Sequence, residues 1–160
     1  TAYAVTRSYS VNGLNQYTAA GPATFAYDAN GNLTSDGATT FVYDAENRLV
    51  SASGARSATL SYDPLGRLWQ VSGASGTTRF VYDGDRLIEE HDGAGTLLRY
   101  YRHGPGADEP LMWLENVGGG GWDRRFLHAD HQGSIVAVAD AATGGPAAPA
   151  RHLRRATVSI

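Results

Sequence analysis

A few short stretches of this chain carry residue types able to do chemistry. His128, Asp130 and His131 bring two imidazoles and a carboxylate close together, the donor types that hold a catalytic zinc. On a strand His128 and Asp130 share one face while His131 turns to the other, so structural hydrogen bonding is expected and no metal is assigned. Asp28, Asn30 and Asn32 copy the opening of a calcium loop, but Thr39 stands where that loop needs its Glu. The same letters write a hairpin turn. Glu89-Glu90 and Asp108-Glu109 are paired carboxylates. Strand neighbours point to opposite faces, so neither pair converges on one substrate, and solvated edges are expected. Ser134 follows Gly133 without the Gly-x-Ser-x-Gly elbow of a hydrolase. Trp69, Trp113 and Trp122 are the candidates for stacking on a sugar. No residue is assigned a catalytic role, and no cofactor is assigned.

Missing residue types narrow the field further. The chain of 160 residues has no Cys, which removes disulfides, thiolate metal sites and a Cys nucleophile. It has no Lys either: all 13 basic residues are Arg. The run Gly118-Gly119-Gly120-Gly121 is therefore no phosphate-binding P-loop, which requires a Lys, and a Schiff-base Lys is excluded. Residues 1–140 hold 10 Arg against 16 acids, whereas residues 141–160 hold Arg151, Arg154 and Arg155 and no acid. A mildly acidic body argues against a nucleic-acid surface. No apolar run approaches the ~20 residues of a membrane helix, and Thr1-Ala2-Tyr3-Ala4-Val5 shows no signal-peptide pattern.

Positioning all these residues is a repeat. Tyr-Asp recurs at Tyr27-Asp28, Tyr43-Asp44, Tyr62-Asp63 and Tyr82-Asp83, at spacings of 16, 19 and 20 residues. Two positions before each Tyr stands Phe25, Phe41, Leu60 or Phe80, and after each turn stands Leu33, Leu49, Leu68 or Leu87. Four positions after the first three tyrosines comes Gly31, Asn47 or Gly66, the residue types that accept positive φ. Phe41 and Tyr43 share a face on a strand. Asp44 can then begin a turn by accepting backbone N–H groups two residues on, and Leu49 opens the returning strand. Each unit thus reads as a β-hairpin, with the tyrosines as a ladder between strands. A weaker copy follows at Leu98-Arg99-Tyr100, where Tyr101 replaces the Asp and Gly104 keeps the glycine. Asn12-Gly13 reads as a two-residue hairpin loop; Asp36-Gly37, Ser53-Gly54 and Asp92-Gly93 read as turns between units.

The expected fold is all-β: a curved antiparallel sheet of hairpins, about a dozen short strands, with no sustained 3.6-residue period before residue 140. Residues 141–160, with Gly144-Gly145-Pro146, read as an irregular Ala/Gly/Pro-rich basic tail.

Tyr62-Asp63-Pro64-Leu65-Gly66-Arg67-Leu68 and Tyr27-Asp28-Ala29-Asn30-Gly31-Asn32-Leu33 resemble the RHS/YD repeat of bacterial polymorphic toxins, insecticidal toxin shells and teneurins. His128-Ala129-Asp130-His131-Gln132-Gly133-Ser134 is similar to the segment that opens the RHS-associated core, with His128, Asp130, Gly133 and Ser134 as its signature. The resemblance covers roughly residues 9–140. It implies a segment of a β-shell, and residues 1–140 as that segment. It also implies as partners the rest of the shell and an encapsulated C-terminal toxin, in a secreted or cell-envelope protein. The chain then reads as a truncated piece, lacking cleavage site and toxin. Self-association is expected from open sheet edges. A cell-surface or carbohydrate-binding β-module is the alternative reading.

Overall fold

A computed structural model describes residues 8–106 and 109–141. The tail from residue 142 and Asp108 of the second acidic pair lie outside the described residues. Every described element is a strand, and there is no helix among the described residues. The chain divides into two compact units between Thr77 and Thr78.

The first unit holds β1 (Tyr9–Val11), β2 (Tyr17–Ala20) and β3 (Ala23–Thr24), which form a three-stranded sheet. It continues with β4 (Ala26–Tyr27), β5 (Leu33–Ser35), β6 (Thr39–Tyr43), β7 (Leu49–Gly54), β8 (Ala58–Tyr62) and β9 (Leu68–Gly73), each antiparallel to the next. The second unit is a similar meander of β10 (Gly76–Asp83, beginning just before the boundary), β11 (Arg86–Asp92), β12 (Leu97–His103), β13 (Pro110–Gly118), β14 (Gly121–Ala129) and β15 (Ile135–Asp140).

The Tyr-to-Leu spacing fixes the register. Tyr27 lies opposite Leu33, Tyr43 opposite Leu49, Tyr62 opposite Leu68 and Tyr82 opposite Leu87. A register shift immediately precedes each of these tyrosines, which is the mark of a β-bulge and strengthens the local twist.

In three of the units the turn has one construction. Asp44 N–H donates to the Arg48 carbonyl and Asn47 N–H returns to the Asp44 carbonyl, at 3.0 and 3.1 Å. The Asp44 carboxylate accepts the N–H groups of Glu46 and Arg48, both at 2.9 Å. Asp28 and Asp63 repeat the pattern. The position before the last residue takes positive φ, +87° at Gly31, +60° at Asn47 and +80° at Gly66, so Gly or Asn there is a steric requirement.

Three sequence expectations are corrected. Asp83 does not open such a turn: one residue fewer separates Tyr82 from Leu87, so Asp83 pairs with Arg86 across the two-residue loop Gly84-Asp85. The turn expected at Asp92-Gly93 is present and is of the repeat type, Asp92 accepting the N–H groups of Ala94 and Thr96, with the positive φ at Gly95. Asn12-Gly13 is not a two-residue loop. Asn12 takes the Asp role, its amide oxygen accepting from Leu14 and Gln16, and Asn15 has the positive φ. Finally, Tyr101 lies inside β12 and Gly104 lacks positive φ, so the weaker copy forms no turn of this kind.

Candidate functional site

In the first unit the turns touch in succession. Tyr62 donates its hydroxyl to the Leu49 carbonyl at 2.8 Å, and the Arg48 guanidinium lies 4.8 Å from the centre of its ring. Arg48 is held there by Asp44 and Glu46, each at 2.8 Å. Tyr27 makes the equivalent bond one unit earlier, to the Tyr17 carbonyl at 3.0 Å. Tyr17 stands opposite Val11 across the Asn12 turn, as Leu49 stands opposite Tyr43. The Asn12 hairpin is thus a further, degenerate repeat that composition of the motif concealed. Asn30 and Asn32 both donate to the Asn47 side-chain oxygen of the next turn, at 2.9 and 2.8 Å. The calcium-like letters are spent on this turn-to-turn contact, and Thr39 is buried in β6.

These contacts set the electrostatics. The Asn32 side chain and the turn N–H groups hold Asp28 below the ordinary carboxylate range. The Arg48 N–H and guanidinium do the same for Asp44. Burial works against it at Asp63, where the Arg67 backbone and side chain still win. Burial raises the phenols of Tyr43 and Tyr62, with the preceding turn's Asp28 or Asp44 adding to it. The Thr96 N–H lowers Asp92. A carboxylate lowered on folding stabilises the fold above its unfolded pKa of about 4 and loses that contribution as pH falls through the folded value. The urea midpoint is therefore expected to fall steadily below about pH 4. His91 acts in the opposite sense, raised by its 2.8 Å bond to Glu89: its contribution is full below the ordinary His value and is lost as pH rises through the folded one. A second outcome follows from the Tyr62 hydroxyl. Tyr62→Phe is expected to cost about 1 kcal/mol in urea unfolding, one hydrogen bond's net worth.

The second unit carries a constellation that the sequence reading missed. Glu90, Arg99, Glu115 and Asp123 lie directly opposite one another across β11 to β14, and Tyr101, Trp113, Arg125 and Asp140 form the adjacent row across β12 to β15. Arg99 bridges Glu90 at 2.8 Å and Glu115 at 3.1 Å. Tyr101 donates to Glu90. Arg125 pairs with Asp140 at 2.8 Å and with Asp123. Burial and the Glu90 charge push the Tyr101 phenol well above its ordinary range. Glu90 is only 7% exposed, which overturns the solvated-edge reading of Glu89-Glu90. The Arg99 side chain is itself largely buried in this row. Trp113 is 7% exposed and is the buried hydrophobic residue of the core, not a sugar platform; Trp69 and Trp122 remain 46% and 44% exposed.

His128 lies near the end of β14, and Asp130 opens another repeat-type turn, accepting from Gln132 and Ser134 at 2.9 and 3.0 Å. Gly133 has the positive φ, +83°. Ser134 closes this turn, its carbonyl accepting the Asp130 N–H at 2.9 Å. A recess of about 340 Å³ adjoins this turn, lined by Glu109, Leu111, Leu127, His128 and Asp130. Among the described residues no three His, Asp or Glu side chains gather as a metal set.

Residues 27–59 and 62–97 match the RHS repeat family model. Each matched segment begins at a Tyr that precedes a repeat turn, and these two segments are RHS repeats. No curated protein matches the chain.

Proposed function

We propose that these RHS repeats form part of the wall of a β-shell that encloses a toxin polypeptide in a secreted or envelope-associated protein, with no catalysis of their own. The RHS repeats make the chain a structural β-repeat module. The observation that carries the finer reading is the nearly absent core: Trp113 is the single buried hydrophobic among the described residues, and no described side chain falls below 2% exposure. A domain that functions alone buries an apolar core; units that lean on neighbours need not.

Limited proteolysis of the longest gene product carrying this sequence tests the reading. A segment outside the repeats that is protected in the native protein, and is digested once the repeats are unfolded in urea, is the expected result. Equal cleavage in both conditions overturns encapsulation. The exposed Trp69 and Trp122 support the carbohydrate-binding alternative, for which selective signal on a glycan array is the decisive result.

A further inference from the structure

We propose that Asn12 is a self-modification site: its own turn converts the side-chain amide to a carboxylate, supplying the aspartate that the other repeat turns carry in the sequence. The proposal goes beyond the wall reading and does not depend on it.

The chain contains two Asn-Gly pairs, Asn12-Gly13 and Asn30-Gly31. In such a pair the following backbone nitrogen can attack the side-chain carbonyl carbon, because glycine brings no Cβ to obstruct it. The two pairs sit differently in their turns. Gly31 donates its N–H to the Asp28 carbonyl at 3.1 Å, which ties up the nucleophile. Asn30 donates through Nδ2 to Asn47, and among the described residues its Oδ1 accepts no hydrogen bond. Gly13 lies earlier in its turn. It is exposed, and among the described residues its N–H meets no acceptor. The carbon it would attack is also activated. Asn12 Oδ1 accepts the N–H groups of Leu14 and Gln16 at 2.9 and 3.0 Å. Fixed backbone donors of this kind stabilise the negative charge that an acyl oxygen takes on in the transition state.

Hydroxide removes the Gly13 N–H proton, and the nitrogen bonds to Asn12 Cγ. The Cγ–Nδ2 bond breaks, and Nδ2 leaves as ammonia with a proton from water. The product is a five-membered imide. Water then adds to one of its two carbonyl carbons, and the bond from that carbon to the Gly13 nitrogen breaks. Addition at Cγ gives aspartate in the ordinary linkage; addition at the main-chain carbon gives isoaspartate. The net change is amide plus water to carboxylate plus ammonium. The turn favours the first outcome, because two N–H groups polarise Oδ1 whereas Asn15 alone donates to the Asn12 main-chain oxygen, at 3.1 Å. The turn also fits that product. Asn12 Nδ2 now donates to Gln16 Oε1 at 2.7 Å. With a carboxylate at position 12, the Gln16 amide turned over donates instead, as Asn32 Nδ2 donates to Asp28 Oδ2 at 2.9 Å.

The full chain, folded and separately unfolded in guanidinium chloride, is incubated in mildly alkaline buffer and its peptides are weighed. The folded chain is expected to gain the mass of an amide-to-acid exchange at Asn12 and not at Asn30. Labelling by an isoaspartyl methyltransferase should reach a smaller share of the folded chain's product than of the unfolded chain's. Gly13→Ala should slow the gain several-fold. It leaves the turn intact, since a Cβ there meets nothing within 4 Å and Ala29 holds the same place in the Asp28 turn. Asn12→Asp should have a urea midpoint at neutral pH no lower than the unmodified chain. Its carboxylate, held low by the two N–H donors, loses that contribution as pH falls below about 4. An unreacted Asn12 in the folded chain while the unfolded chain reacts, equal gain at Asn30, an equal isoaspartate share in both samples, or a lower neutral midpoint for Asn12→Asp overturns the proposal. None of these touches the encapsulation reading, which protease protection decides separately.

Discussion

Arg99→Ala is expected to lower the unfolding free energy by about 3–5 kcal/mol, the range for removing one partner of a buried ion pair. Arg99 keeps Glu90 and Glu115 apart in charge although they flank it on neighbouring strands. Burial alone would depress the Arg99 charge; Glu90, Tyr101 and Glu115 more than offset that. Without the guanidinium, two carboxylates face each other across the vacated position, and Glu90 is nearly sealed from water. The loss therefore comes from stranded negative charge as much as from a lost bond. This has a checkable consequence. In Arg99→Met with Glu90→Gln and Glu115→Gln, the charge is gone and the stem volume is kept, so much of the stability should return. Urea midpoints of the single and triple variants measure it. If Arg99→Ala changes the midpoint by no more than a surface substitution, within about 0.5 kcal/mol, the charged face is solvated and contributes little.

The difference between what could be read from the letters and what could not is itself physical. The all-β fold and the hairpin register follow from local spacing, because Tyr27 and Leu33 bracket a five-residue turn whose closing backbone bonds, and the Asp28 carboxylate's bonds to Asn30 and Asn32 N–H, are made within it. The same turn at Asn12 escaped notice because Asn and Gln replace Asp and Arg there. Its backbone bonds and the reach of Tyr27 to the Tyr17 carbonyl are nonetheless those of the repeat. Asp130 is a parallel case: a signature that suggested a distinct segment is the repeat turn again. The charged face was illegible for another reason. Period-two alternation correctly separates Glu89 from Glu90, but which of them is buried depends on Arg99 and Glu115, placed opposite by strand pairing. The available signal was the recurrence of charge and ring at alternate positions, Arg99 with Tyr101, Trp113 with Glu115, Asp123 with Arg125.

Gly54→Ala is expected to destabilise the first unit by about 3 kcal/mol, from backbone strain plus collision. Gly54 ends β7 at φ +114° and lies opposite Thr39, the most buried of the buried polar residues at 2% exposure. A Cβ at Gly54 would run into the Ala38 carbonyl oxygen and press on the Thr39 Cα at 3.3 Å. That carbonyl already accepts the Ala55 N–H at 2.9 Å, so it cannot move aside without breaking the bond that closes β6 against β7. Gly76 supplies the control. Its φ is +112°, almost the same, yet a Cβ there meets nothing within 4 Å. Gly76→Ala should therefore show the conformational cost alone, about 1–2 kcal/mol, and the excess at Gly54 measures how tightly β6 and β7 approach at the open end of their hairpin. Thermal or urea unfolding of the two variants side by side reads that excess directly. Equal losses would mean that β6 and β7 yield to the added methyl, and that the close approach at Ala38 does not fix the spacing of the two strands at the open end of their hairpin.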